Sequence, residues 1–224
     1  MTASVKHDAS RPFRRLDDSV LDVFKLLPDA TSAVSDVLDE LGFHGAVPAS
    51  TLRPIVEGAA IVGQAVTIRN VPLSEGPGVA AHQSPQLDVV SVHETAGPGD
   101  VLVIEGVQHC SNFGGMAALL AQRRGRSGAI IAGGARDISQ TRAVGFPMWV
   151  RSFTPVSGKN RVRTIALNED VTIEGVLVRP GDLVVADDTG VCFVPLHRVD
   201  EVARSLRDIA KSEKAAEADL RAED

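Results

Sequence analysis

Tyrosine is absent from the 224-residue sequence, and aromatic residues make up only 4% of it. Proteins that bind single-stranded nucleic acid stack bases on aromatic side chains, so the usual platforms for this class are missing. Basic residues are also few, since 23 lysines and arginines stand against 29 acidic residues, for a net charge of −6. We therefore predict no nucleic-acid partner, which would need a dense basic surface. A local positive site for a small anion remains compatible with this charge.

Long hydrophobic runs are also lacking. No segment approaches the roughly 20 apolar residues of a membrane-spanning helix, and the N-terminal MTASVKHDASRPFRRLDDSV has no apolar core of signal-peptide length. The two cysteines, Cys110 and Cys192, match no metal or redox spacing. One disulfide is formally allowed, but the favoured prediction is two reduced thiols in a cytoplasmic protein that does not associate with membranes.

Several motifs of common enzyme classes are missing too. The sequence contains no P-loop, no GxGxxG and no GxSxG, which removes support for an NTPase, a Rossmann dehydrogenase or an α/β-hydrolase. His82 and His93 lack the HxH or HExxH spacing of metal sites. His109 lies beside Cys110 without a third partner, so we interpret it as a structural or surface histidine.

The composition that is present, 44% hydrophobic and 23% charged, is typical of a globular protein with one substantial core. We predict an α/β domain at 17–198, preceded by a flexible polar lead at 1–16. A C-terminal helix with a charged tail follows at 199–224. The apolar stripe of this helix should dock on the body or on a neighbouring subunit; it consists of Val199, Val202, Leu206 and Ile209.

Helical and strand patterns alternate along the domain. Apolar residues at helical spacing predict a helix over Thr31–Leu41, which Gly42 ends. A β-rich run begins at residue 59, with Gly63 as a bulge or a point of close approach. A loop at 74–78 follows, which could close over a site. Later strands are predicted at 129–132, 148–153, 163–167 and 171–178.

A short sequence occurs twice. Pro-Gly-Asp at 98–100 and again at 180–182 precedes a short apolar strand that ends in an acid. Two copies are too few for a repeat protein. We interpret them as equivalent corners of one β-rich domain, with Asp100 and Asp182 as turn residues.

The stretch from Asn112 to Pro147 concentrates the features that favour a binding site. Gly114 and Gly115 open an alanine- and leucine-rich helix, whose first amides belong to Met116 and Ala117. Such amides can hold a carboxylate or enolate oxygen. Equally, the two glycines could simply relieve crowding where a helix meets a sheet.

A second helix start follows the strand at 129–132. Gly133-Gly134 is predicted to turn the chain, and Arg136 and Asp137 stand where the helix begins. Asp137 could be only a helix N-cap and Arg136 only a surface cation. A strand end, a glycine turn and a helix start nevertheless form a common ligand site in α/β proteins. There, Arg136 could clamp a carboxylate, and Asp137 could hold Mg²⁺ or Mn²⁺.

A polar segment downstream, Ser157-Gly158-Lys159-Asn160-Arg161, has two interpretations. It is a polar turn, or it is a loop that contacts an anion.

The segment GGARD…GFP, with the glycine-rich helix start before it and the two Pro-Gly-Asp strands around it, resembles the RraA-like family. This family includes class II 4-hydroxy-4-methyl-2-oxoglutarate aldolases and the regulator of ribonuclease E activity. The resemblance extends over about residues 30–200, and further similar segments lie at 34–39, 57–67 and 188–195.

The resemblance implies a compact β/α swivel-type fold, assembled as trimers or hexamers with sites at subunit interfaces. It implies a divalent metal, Mg²⁺ or Mn²⁺, held by Asp137, with Arg136 binding substrate oxygens. The amides of Met116 and Ala117 would hold the carboxylate of a small 2-oxo acid.

This sequence departs from the aldolase pattern at Gly115, where the family places Asp or Glu, and at Ala132, where an acid is also common. The leading hypothesis is a metal-dependent lyase, an aldolase or decarboxylase, that cleaves a 2-oxo acid to pyruvate or a related enolate product. Loss of the acid at 115 should harm retro-aldol cleavage, which needs a base, more than decarboxylation. Two alternatives stay open: a subfamily enzyme that uses His109 or a partner-chain acid on another substrate, and a non-catalytic regulator of a protein partner.

Overall fold

The computed structural model describes residues 13–73 and 95–222. The loop predicted at 74–78, His82, His93 and residues 1–12 of the predicted lead lie outside the described residues.

The described chain alternates short helices with many short strands. The helices are α1 (Asp18–Leu21), α2 (Ala30–Glu40), α3 (Gly115–Arg123), α4 (Ile138–Val144) and α5 (Val199–Ala222), with 3-10 turns at Asp22–Lys25 and Leu196–Arg198. The strands are β1 (Ala46–Pro48), β2 (Arg53–Pro54), β3 (Ile61–Pro72), β4 (Val101–Glu105), β5 (Ser111–Phe113), β6 (Gly128–Ala135), β7 (Met148–Phe153), β8 (Val162–Leu167), β9 (Val171–Ile173), β10 (Val176–Val178), β11 (Leu183–Asp187) and β12 (Gly190–Val194). No described helix is both long and apolar enough to cross a bilayer.

One mixed sheet organises the fold. Its order is β1-β12-β11-β3-β4-β6-β7-β2, with β5 also paired to β6 and β8 to β3. The pairs β3–β4, β4–β6, β6–β7 and β5–β6 are parallel, and the others are antiparallel. The predicted α/β domain with a large sheet and a C-terminal helix is confirmed. Parallel strands matter for function because their carboxyl ends meet at one edge, where ligand sites form.

Helices cover the sheet through small or branched side chains. On α3, the fully buried Ala118 and Ala121 let the helix backbone approach the strands closely. Elsewhere α2 and α5 pack together against β11 and β12. The apolar stripe of α5 therefore docks on its own chain, with Val202 and Leu206 buried.

The two Pro-Gly-Asp segments form equivalent corners, as predicted. Asp100 accepts a hydrogen bond from the Gly97 amide, and Asp182 accepts one from the Arg179 amide, three residues back in each case. Both carboxylates are buried. Burial raises the pKa of Asp182, although amide hydrogen bonds partly oppose this shift. These acids therefore shape turns and do not line a site.

The described end of the predicted lead contacts the body, since the Leu16 amide donates to the Gln64 side chain and Arg15 pairs with Asp100. One prediction about a chain segment is wrong. The strand predicted at 171–178 is a hairpin of β9 and β10. Glu174 and Gly175, both at positive φ, form its turn.

The predicted turn at Gly133-Gly134 is also wrong, because both glycines lie inside β6. A Cβ at 133 would lie 2.5 Å from the Asn112 Nδ2, and a Cβ at 134 would lie 2.6 Å from the Cys110 carbonyl oxygen. The glycines therefore allow the segment before β5 to lie directly on the strand. The chain continues to Ala135 before it turns, so Arg136 follows the strand immediately.

Candidate active site

A cleft of about 340 Å³ lies at the carboxyl end of β6. It brings together segments that are far apart in sequence: the start of α3, the residues after β6, the loop after β7, and the facing strands β3 and β8. Its lining consists of Asn70, Ser111, Asn112, Phe113, Gly114, Met116, Ala117, Arg136, Asp137, Ser157, Gly158, Lys159, Val162 and Thr164. Of the predicted site residues, all but Gly115 line this cleft.

Asp137 stands at the start of α4 but does not cap that helix with its side chain. Its backbone is left-handed, with φ of 57°, so the carboxylate turns away from α4. The Oδ2 atom instead accepts a hydrogen bond from the Gly115 amide at 3.2 Å and lies 3.3 Å from the Nε of Arg136. Asp137 therefore occupies the N-cap position of α4, but its side chain caps α3.

The start of α3 presents two amides to the cleft. Gly114 is extended and precedes the helix, and a Cβ there would lie 2.8 Å from Asp137 Oδ2. Within the described part of the chain, no group accepts a hydrogen bond from the Met116 or Ala117 amide. These donors and the positive end of the helix dipole favour an anion in the cleft.

The space that a side chain at position 115 would occupy is filled by Gln140. A Cβ at 115 would overlap the Gln140 Oε1 atom and lie 2.5 Å from its Cδ. Gln140 lies on α4 one turn after Asp137, and its Nε2 is 4.0 Å from the sulfur of Met116. A neutral amide therefore occupies the region where a side chain at 115 would project.

Asn112 was not identified from the sequence, yet its side-chain hydrogen bonds stabilise the wall of the cleft at β5 and β6. Its Oδ1 accepts from the Val107 amide at 2.8 Å, and its Nδ2 donates to the Val107 carbonyl at 2.7 Å and the Gly134 carbonyl at 3.2 Å. The side chain thus fastens the segment before β5 onto β6. No local pattern announces this role, since it depends on a contact across the sheet.

The wall next to Asn112 is neutral and polar. Thr164 on β8 donates from its hydroxyl to the Asn70 Oδ1 at 2.6 Å. Asn70 in turn lies with its Nδ2 3.3 Å from the Asn112 Oδ1. Neither Asn70 nor Thr164 was predicted, because their approach depends on the pairing of β3 with β8.

The charges lining the cleft are Arg136, Asp137 and Lys159, which leave an excess of one positive charge. Among the described lining residues, Asp137 is the only carboxylate. Its Oδ1 has no partner among the described residues, and its side chain is 41% exposed. Mg²⁺ keeps much of its water shell and accepts a single carboxylate, so Asp137 Oδ1 fits such a cation. Across residues 13–73 and 95–222, no three His, Cys, Asp or Glu side chains converge on a metal-sized site.

The remaining candidates lie apart from the cleft. His109 is exposed and is not among the lining residues. Cys110 and Cys192 are buried and form no disulfide. Burial raises the pKa of both thiols, that of Cys192 to about 12, so neither provides a nucleophile near neutral pH.

Comparisons with known proteins agree with this architecture. The protein DlpA of Legionella pneumophila is 31% identical over 88% of this chain, although the chain spans only 31% of DlpA. A protein of Halalkalibacterium halodurans, provisionally named 4-hydroxy-4-methyl-2-oxoglutarate aldolase, is 29% identical over 87% of this chain and 85% of its own length.

A solved structure shares the fold. Streptomyces coelicolor RraAS2, described as an unusual member of the RNase ES inhibitor RraA protein family, superposes with a TM-score of 0.76 at 27% identity. The match covers 92% of this chain and 99% of that protein. A family model described as RraA-like, aldolase/RraA, matches residues 31–193, most of the chain. The resemblance noted in the sequence is thereby confirmed, and the chain belongs to the RraA-like family.

Proposed function

We propose that this protein is a divalent-metal-dependent lyase that cleaves a carbon–carbon bond of a small 2-oxo acid to give pyruvate or a related enolate product. The observation that carries the proposal is one small cleft that gathers Arg136, Asp137 and the first amides of α3. Relatives named as aldolases, at about 30% identity, support a lyase in general. The volume suits a small molecule rather than a polymer.

Each group has a distinct task in such a reaction. The amides of Met116 and Ala117 bind the carboxylate of the 2-oxo acid, because they are donors without a protein partner among the described residues. The Arg136 guanidinium donates to the 2-oxo oxygen and stabilises the negative charge that develops there as an enolate forms. Asp137 Oδ1 would hold Mg²⁺ or Mn²⁺, which when bound would supply Lewis-acid chemistry to the cleft.

Asp137 is the single carboxylate among the described residues that line the cleft, and this supports one of two reactions over the other. In decarboxylation of a 2-oxo acid with a carboxylate at C4, the C3–C4 electrons pass into the enolate as CO₂ leaves, and a proton later adds at C3. Retro-aldol cleavage also needs a base that removes the C4 hydroxyl proton. The Oδ2 atom of Asp137 is engaged by Gly115 and Arg136, its Oδ1 is assigned here to the metal, and Gln140, an amide, is not a base. The cleft therefore favours decarboxylation over retro-aldol cleavage.

Pyruvate release tests this proposal. Purified protein is given oxaloacetate or 4-hydroxy-4-methyl-2-oxoglutarate with Mg²⁺, with Mn²⁺, and with EDTA. We expect metal-dependent turnover, faster on oxaloacetate relative to the uncatalysed rate, that Asp137→Ala abolishes. Asp208→Ala removes an exposed carboxylate on α5 and should leave turnover unchanged. Turnover that survives EDTA or Asp137→Ala would contradict the proposal.

A regulator of a protein partner is the second candidate, favoured by the lack of a side chain at Gly115 and by the likeness to RraAS2. We also propose a cytoplasmic homotrimer or hexamer. Met116 supports an assembly, since this apolar side chain at the cleft is 70% exposed in the single chain. Light scattering after size exclusion measures the mass, and a monomer would contradict the assembly.

A further inference from the structure

The loop between β7 and β8 forms one side of the cleft and rests directly on β5. The Ser111 amide donates to the Val156 carbonyl at 2.9 Å. A Cβ at 158 would overlap the Ser111 carbonyl oxygen, so only glycine permits this approach. The loop is therefore fixed against the strand that leads into α3.

Hydrogen bonds within the loop fix its tip. The Arg161 amide donates to the Gly158 carbonyl at 2.9 Å, and its guanidinium donates to the Ser157 carbonyl at 3.1 Å. The Lys159 amide donates to the Ser157 hydroxyl at 3.1 Å. Lys159 thus extends from a braced backbone, although its own side chain is exposed.

Within residues 13–73 and 95–222, no acidic side chain balances the charge of Lys159. Among the described residues no carboxylate lies within ion-pair distance of its ammonium group, whereas Arg136 has Asp137. The neighbouring wall of Asn70 and Thr164 is neutral. The cleft therefore has a second cationic point on a different segment from Arg136, and an anionic group of the ligand is the natural counterpart.

We propose that Lys159 binds the distal carboxylate of a dicarboxylic 2-oxo acid and so sets substrate specificity. The inference rests on the proposed function for its assignment of the 2-oxo end to Arg136 and α3. Lys159 then favours a diacid over the same molecule with a methyl group in place of the far carboxylate. Because the ammonium group is exposed, we expect a preference of about 10-fold, the lower part of the range for charge-assisted hydrogen bonds.

Binding provides a test that does not depend on turnover. Calorimetry compares 2-oxoglutarate with 2-oxopentanoate, which differ only in the far carboxylate, in the presence of Mg²⁺. We expect wild type to bind the diacid about 10-fold more tightly and Lys159→Met to bind both equally. Lys159→Arg keeps the charge and should restore most of the preference. Added salt should weaken the preference in wild type alone.

Arg163, on the strand β8 that follows this loop, provides a matched control. Arg163 stands between Val162 and Thr164 on β8, and those two line the cleft, so strand alternation places Arg163 on the other face. Arg163→Met removes one exposed positive charge nearby and should leave the preference intact. If Arg163→Met and Lys159→Met reduced the diacid preference equally, the proposal would be overturned, because the overall positive charge of the region would then explain that preference.

Kinetics separate this inference from the proposed function. On 4-hydroxy-4-methyl-2-oxoglutarate, Lys159→Met should raise KM about 10-fold with little change in kcat. On 4-hydroxy-4-methyl-2-oxopentanoate, which carries methyl at that carboxylate, it should change neither. Cleavage with no diacid preference in wild type overturns the role of Lys159 alone. A diacid preference without cleavage of any substrate overturns the proposed lyase activity and retains the role of Lys159. If neither cleavage nor a diacid preference is found, both proposals are overturned.

Discussion

The carboxylate of Asp137 accepts a hydrogen bond from the Gly115 amide at 3.2 Å, so the residue at the N-cap position of α4 caps α3 with its side chain. This bond and the contact with Arg136 use Oδ2, and Oδ1 has no partner among the described residues. A single residue therefore orients a helix start and supplies the only carboxylate among the described residues that line the cleft.

The two tasks of Asp137 can be separated by substitution. An asparagine side chain would keep an oxygen acceptor and tolerate the positive φ, so Asp137→Asn should lower the free energy of unfolding by less than about 0.5 kcal/mol. It should still abolish pyruvate release, because the charge is lost. Asp137→Ala should also cost about 1–2 kcal/mol of stability. Denaturant unfolding measures the stability of each variant, and pyruvate release measures its activity. Full activity in Asp137→Asn would show that the negative charge has no function in the reaction.

An acid at position 115 should change the balance of reactions. In Gly115→Asp, the flexible Gln140 side chain must swing outward, since the new Cβ would overlap it. Combining Gly115→Asp with Gln140→Ala removes that overlap. We expect the double variant to bind Mn²⁺ more tightly and to raise the rate of retro-aldol cleavage relative to decarboxylation.

Gly115→Ala combined with Gln140→Ala is the control for volume. It should alter neither metal affinity nor the ratio of the two rates. Calorimetry with Mn²⁺ and pyruvate release with both substrates check these outcomes. Equal behaviour of the Asp and Ala double variants would show that residue 115 does not contact the reaction centre.

Acid stability should depend on Asp187, a buried carboxylate that joins α2 to the β11–β12 turn. Burial alone would raise its pKa, but hydrogen bonds from the amides and hydroxyls of Thr189 and Thr31 outweigh this and lower the pKa. Its stabilisation is therefore complete above the ordinary carboxyl value of about 3.9. It is lost as pH falls from there through the lower folded pKa.

Unfolding titrations in urea at several pH values measure this effect. Wild type should lose stability below about pH 3.9 more steeply than Asp187→Asn, which cannot titrate there. The substitution should also cost about 1–3 kcal/mol at neutral pH, because two hydroxyls and two amides lose a charged acceptor. A parallel pH dependence in the two proteins would exclude this role.

Both cysteines should resist modification in the folded protein. Burial raises the pKa of each thiol, and that of Cys192 reaches about 12, so few thiolates exist at pH 8. A colorimetric disulfide reagent should detect two thiols only after denaturation. Rapid reaction of either one in the native state would place it on an accessible surface and contradict the packing.

Local patterns predicted much of the fold. Helical spacing placed α2 within one residue of its observed bounds, and the apolar run of β7 was placed at 148–153 as observed. The same logic failed at Gly133-Gly134, since glycine in a strand resembles glycine in a turn. Only contacts with Cys110 and Asn112, more than twenty residues away in sequence, show why those glycines are there.

The candidate site was predictable where its residues are adjacent in sequence. Arg136 and Asp137 are neighbours in the sequence, and Gly114-Gly115 predicted the start of α3. Asn70 and Thr164 stayed hidden because their contact depends on β3 pairing with β8. The loop at 157–161 was recognised as polar, but its position beside the cleft depends on the approach of Gly158 to Ser111.

The connection between β7 and β8 differs in one respect from the rest of the cleft. Arg136, Asp137 and the first amides of α3 lie where β6 ends and α3 begins, so their spacing is set by the sheet. The connection crosses outside the strand ladders, where insertions and deletions are commonly tolerated, and Gly158 anchors it on Ser111. If Lys159 binds the distal carboxylate as proposed, a residue gained or lost beyond that anchor should change the substrate length accepted while the spacing at β6 and α3 stays constant. Laboratory evolution toward longer or shorter acids would begin with libraries of this segment.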